Sequence, residues 1–104
     1  MKTYHLTRKA FQDLSEIWNY TFDNWSEEQA NKYYSILIAG IINIASDKAY
    51  SSKPYFQISN NLWGYRVQHH IIFYQIENND VLVIRILHSS MDLKSHFYPS
   101  VFIV

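Results

Sequence analysis

The chain has 104 residues, enough for one domain with one core. Nearly half of them are apolar and 17% are aromatic, and there is no cysteine, so folding must rest on packing without disulfides. Nine basic and nine acidic side chains cancel to a net charge of zero. Phosphate binding draws most of its affinity from a basic excess, so the balance argues against nucleic acid as the main partner. The N-terminal residues hold no apolar stretch of signal-peptide length, and the longest apolar run, Ile36 to Ala45, is interrupted by Asn43 and too short to span a bilayer. The expectation is a soluble, cytoplasmic, single-domain protein over 1–104 with no cofactor.

Thr3 to Leu6 alternates as a short extended segment. Thr7 is placed as a helix N-cap, its hydroxyl able to accept a free N–H of the first turn. Phe11, Leu14, Trp18, Phe22 and Trp25 then recur at helical spacing in one narrow stripe, which predicts an amphipathic helix ending near Asp23-Asn24. Ser26-Glu27-Glu28-Gln29 reads as a capping box with acids in the first turn. The helix it opens carries Ala30, Tyr33, Tyr34, Leu37, Ile38, Ile41, Ile42, Ile44 and Ala45 around half its circumference. Such a helix needs two neighbours, the first helix and a sheet.

Asp47 to Asn61 is a polar connector with room for a short strand at Tyr55 to Ile58. The period then turns strand-like over Leu62 to Val67, His70 to Ile76 and Val81 to His88, with a hairpin turn at Glu77-Asn78-Asn79-Asp80. The last strand is apolar on both faces apart from Arg85, as a central strand would be. A helical turn from Met91 to His96 and an apolar tail, 97–104, follow. The order predicts an α+β fold: an N-terminal strand, a helix hairpin, then a three-stranded antiparallel meander in one twisted sheet.

Arg66, Arg85 and His88 interrupt the apolar strands. An arginine there is costly unless its head reaches water, a carboxylate or a ligand. By strand parity Arg85 lies opposite Ile84 and Ile86. If the helices cover the isoleucines, Arg85 points to the open face, where Arg66 could join it. The structural alternative is a pair of arginines held by carbonyls or by Asp92. His88, at a strand end, reads first as a hydrogen-bonding residue. The adjacent His69 and His70 are expected on opposite faces, and His88, Asp92 and His96 align only along a helix that the strand precludes, so no metal site is expected.

Between Asp47 and Glu77 there is no carboxylate side chain, and only Lys48, Lys53 and Arg66 are basic. Cleaving RNA through its 2′-hydroxyl needs a base, an acid and cations for the phosphorane. With two glycines, no phosphate loop or nucleophile elbow is present either. The residues themselves do not support an enzyme.

Leu6-Thr7-Arg8-Lys9-Ala10 with Asp13-Leu14 and Ile17 resembles the opening of ParE-type toxins, and Trp25-Ser26 with Gln29-Ala30 and Tyr33 resembles their second-helix entry. Gly64-Tyr65-Arg66 and His70 to Tyr74 resemble the central strands, and Val83 to His88 with Met91-Asp92 the C-terminal stretch. The resemblance to the RelE/ParE superfamily spans nearly the whole chain, departing from it at Asp47 to Ser52 and in the tail from Tyr98. It implies a type II toxin neutralised by a cognate, ParD-like antitoxin. It also implies DNA gyrase as the target of the ParE branch, reached by protein contact through Arg66, Arg85 and His88. The RelE-like alternative is a ribosome-dependent mRNA endonuclease with those three residues as its catalytic set. A third reading is an inactive relative that retains antitoxin binding. Tyr55, Phe56, Trp63, Phe97, Tyr98 and Phe102 exceed what one small core needs and are the candidate antitoxin surface.

Overall fold

The computed structural model describes residues 1–97, apart from the side chains of Lys94 and Ser95. The elements run β1 (Thr3–Leu6), α1 (Arg8–Asn24), α2 (Glu27–Ala45), β2 (Lys53–Pro54), β3 (Trp63–Val67), β4 (His70–Glu77), β5 (Asp80–His88) and α3 (Leu93–Phe97). Both helix starts follow their caps: the Thr7 side chain accepts from Ala10 N–H and Ser26 from Gln29 N–H, each at 3.0 Å. The β4–β5 turn places Asn78 and Asn79 at φ of 50° and 64°, the left-handed region that asparagine tolerates.

One five-stranded sheet has the order β1-β5-β4-β3-β2, antiparallel except for β1 beside β5. The expected α+β fold is present, with two differences. The connector contributes its strand at Lys53–Pro54, ahead of the Tyr55 to Ile58 segment expected to hold it, and the late helix begins at Leu93.

The helix hairpin covers one face of the sheet. Ala10, Leu14, Leu37, Ile41, Ile44, Ile72, Val81, Val83 and Ile86 form the core between them. Gly40 lets α2 approach, since a Cβ there would lie 2.7 Å from Val67 Cγ2. A second, smaller core of Leu62, Phe73 and Leu87 fills the opposite face under Tyr55, Ile58, Leu93 and Phe97. That face is therefore covered in part by the connector and α3. Tyr55 and Phe97 each meet Phe73 edge-on, at 5.1 Å, so these two aromatics are core residues.

The aromatic stripe expected to be the buried face of α1 is not that face. Phe11 is 61% exposed, Phe22 47% and Trp25 75%, whereas Ala10, Asp13 and Leu14 are buried and Ile17 packs on the core. The true core face is turned by about 100°, one residue of helix. Small Ala10 and ion-paired Asp13 meet the sheet, and the aromatics are left along the outer side, where Trp18 stacks on Phe22 and its indole N–H donates to Asn31.

Candidate functional site

Past Leu6, β1 ends and the edge of β5 is taken over by α1. Thr7 N–H donates to Val83 O, its hydroxyl to Ile84 O, and Asp13 Oδ2 accepts Ile86 N–H at 3.0 Å. A bulge accompanies the change: Tyr74 pairs with Val83 and Phe73 with Arg85, leaving Ile84 as the extra residue. Parity therefore breaks in mid-strand. Val81, Val83 and Ile86 all belong to the helix-side core, while Ile84 packs on the opposite one.

Arg85 consequently does not lie free on an open face. Its Nε donates to Asp13 Oδ2 at 2.8 Å and Nη2 to Asp13 Oδ1 at 2.9 Å, and Nη1 reaches His96 O at 3.3 Å. The pair is nearly buried, with side chains 14% and 10% exposed. Hydrogen bonding to Asp13 holds the guanidinium above its ordinary pKa, ahead of the opposing effect of burial. The partner is Asp13, not the Asp92 weighed from sequence. Sequence reading missed it although the signal was there: a carboxylate on the face shared by Ala10, Leu14 and Ile17 faces an arginine in an apolar strand.

Arg66 is exposed on β3 with its Nε donating to Gln68 O at 2.9 Å. It pairs with Ile71 across β4, two strands from Arg85. The two arginines are not brought together. His88 instead faces the helices, opposite His70 in register.

There it joins a cluster. His69 and His88 stack at 6.3 Å between centroids, and His70 meets His88 edge-on at 5.3 Å. His69 and His70 thus line one groove, not opposite faces, because Gln68 (φ 54°) and His69 form the turn into β4. Tyr33 Oη lies 2.7 Å from His70 Nδ1. Burial first, then repulsion from His88 and His69, pushes the His70 imidazole down to about 4 despite the pull of Asp13. Among the described residues no group of histidines and carboxylates could hold a metal ion.

The groove has a volume of about 710 Å³ and lies between the C-terminal half of α1, the start of α2, the β3–β4 turn and the end of β5. Ile17, Tyr20, Trp25 and Met91 give it apolar walls, and the histidines, Tyr33, Gln29 and Gln68 its polar groups. A concave, mostly apolar site with a few convergent polar groups has the anatomy of a recognition site. Of the expected partner-binding aromatics, Tyr55 and Phe97 are core, Phe56 (50% exposed) packs edge-on against Trp63 at 5.3 Å, and Tyr98 and Phe102 lie outside the described residues. No described helix is long and apolar enough to cross a membrane.

Known proteins share this fold. The family model for the ParE toxin of the type II toxin–antitoxin system parDE matches residues 4–93. The chain is 38% identical over 99 residues to Toxin ParE1 of Caulobacter vibrioides, covering 92% of this chain and 98% of that one. It is 33% identical over 94 residues to Toxin ParE of Escherichia coli, covering 89% and 90%. Among solved structures, the chromosomal ParDE system from P. aeruginosa superposes with a TM-score of 0.70 at 16% identity, over 85% of this chain and 96% of that one. A YoeB–YefM complex from Staphylococcus aureus gives 0.57 at 14% identity, over 85% and 97%. At such identities the likeness speaks for the fold. The family match and the curated relatives carry the rest: this chain belongs to the ParE toxin family of type II toxin–antitoxin systems.

Proposed function

We propose that this toxin acts in the cytoplasm by binding and inhibiting DNA gyrase, and that a cognate antitoxin neutralises it by covering part of its surface. The observation that carries a binding role over nuclease chemistry is the state of Arg85. Both carboxylate oxygens of Asp13 hold its guanidinium, and Arg66 lies two strands away, so the three residues of a nuclease set do not converge on one phosphate. A phosphorane needs cations free to meet it, and among the described residues no lysine or arginine lines the groove. Arg66 and His88 remain the candidate target contacts, with Arg85 holding β5 and α3 in place.

The antitoxin reading is supported by the fold shared with a ParDE toxin–antitoxin system and with the YoeB–YefM complex. Phe56 and Trp63 at the β2–β3 side of the sheet are its candidate contacts. The outer stripe of α1, with Phe11 and Phe22, adds exposed apolar area of the kind that marks an interface.

The test is plasmid topology in cells induced to express the toxin. Relaxed plasmid with intact mRNA supports gyrase inhibition. Cleaved mRNA with normal supercoiling rejects it and makes the histidine cluster a candidate acid–base set.

A further inference from the structure

Charge is distributed unevenly over the helix hairpin. Between Lys9 and Lys32 the sequence holds the carboxylates of Asp13, Glu16, Asp23, Glu27 and Glu28, and no lysine or arginine. This stretch, most of α1 and the start of α2, supplies one wall of the groove. The last turn of α1 has no basic side chain to offset the negative end of its dipole, while Glu27 and Glu28 offset the positive end of α2. A chain of zero net charge thus carries a negative field at this wall.

The same bias holds inside the groove. Among the described residues Asp13 and Glu16 are its lining carboxylates, and no lysine or arginine lines it. Arg85 takes both oxygens of Asp13, and its charge also reaches Glu16. One guanidinium against two carboxylates still leaves the balance negative. Lys32 on α2 and Arg66 on β3 are exposed, and neither lines the groove. Burial keeps the His70 ring from gaining charge near neutral pH.

The apolar walls lie beside this charge. Glu16 and Tyr20 both line the groove, are exposed, and stand one turn apart on α1, the spacing of helix neighbours. A carboxylate next to an open aromatic ring suits a guanidinium, which pairs with the one and stacks on the other. Trp25 and Met91 extend the apolar wall beyond them.

We infer that the groove receives an arginine of a protein partner, flanked by an apolar residue. The guanidinium meets Glu16 and the face of Tyr20, and the apolar neighbour lies against Trp25 and Met91. The field disfavours phosphates and acidic segments at this place. The inference does not depend on whether gyrase is the target.

The experiment titrates the full chain by NMR at pH 8 with N-acetyl-leucyl-arginyl-leucine amide and its glutamine and glutamate counterparts. The backbone amides of Glu16 and Tyr20 and the indole N–H of Trp25 report binding. The arginine peptide is expected to move these signals and to bind about three- to ten-fold tighter than the glutamine peptide, the joint effect of one exposed ion pair and one cation–π contact. The glutamate peptide binds weakest. Glu16→Gln, an exposed substitution, weakens the arginine peptide about two- to five-fold and leaves the glutamine peptide unchanged. Tyr20→Leu, which keeps an apolar wall, also narrows the preference. A glutamate peptide that binds as tightly as the arginine peptide overturns the proposal. So does an arginine preference that survives Glu16→Gln intact, or a set of signals that no peptide moves at about 10 mM.

Discussion

Asp13 of α1 holds Arg85 of β5 with both carboxylate oxygens and also accepts the backbone N–H of Ile86, next along the strand. One side chain thus neutralises a buried cation and satisfies the strand edge that β1 leaves uncovered. Removing it strands both groups. Asp13→Ala is expected to cost about 3–5 kcal/mol, the usual loss when one partner of a buried pair is deleted. Replacing the pair together, Asp13→Leu with Arg85→Met, should cost much less. Urea unfolding of the single and double variants measures this; equal losses would show that packing, not charge, sets the cost.

His70 makes stability depend on pH. Its folded pKa, about 4, lies below the ordinary value of 6.5, so the unfolded chain binds the proton more readily. The contribution is complete above pH 6.5 and is lost as pH falls towards 4. Between pH 7.5 and 5 stability therefore falls, by an amount that solvent screening of the half-buried ring reduces. His70→Gln should flatten the change in denaturation midpoint over that interval, and an unchanged slope would assign the effect to other groups.

Gly64 sits where a Cβ would come within 2.5 Å of the Tyr55 ring and 3.0 Å of Ile71. Tyr55 is itself wedged edge-on against Phe73, so it has little room to give. Gly64→Ala should destabilise by about 1–3 kcal/mol, and Tyr55→Leu in the same chain should recover part of that. Thermal melts of the two variants check it.

Phe11 and Phe22 are exposed on α1 and contribute little to the core. The double variant Phe11→Ser, Phe22→Ser should keep its melting temperature within a few degrees and weaken antitoxin binding at least ten-fold, about 1.4 kcal/mol. Calorimetric titration with the antitoxin reads this directly. Unchanged affinity would move the interface elsewhere, to Phe56 and Trp63 first.

The elements were legible because local signals set them: Thr7 and Ser26 cap their helices, and the paired asparagines turn the β4–β5 hairpin. What escaped depends on contacts distant in sequence. Period alone put the aromatics of α1 inward, since hydrophobicity does not reveal that Asp13 finds a buried partner 72 residues away. Parity misplaced Arg85 because the bulge at Ile84 has no residue signature. The histidine cluster assembles from the β3–β4 turn and the two strand ends, and only the register of β4 on β5 sets His70 against His88. Tyr55 and Phe97 looked surplus because a second core, on the far face, was not anticipated.

The most direct test of a binding toxin is DNA supercoiling by purified gyrase with this protein added, with and without antitoxin, beside a ribosome-dependent mRNA cleavage assay. The account predicts that supercoiling is lost, that antitoxin restores it and that mRNA stays intact. Normal supercoiling together with cleaved mRNA would contradict it.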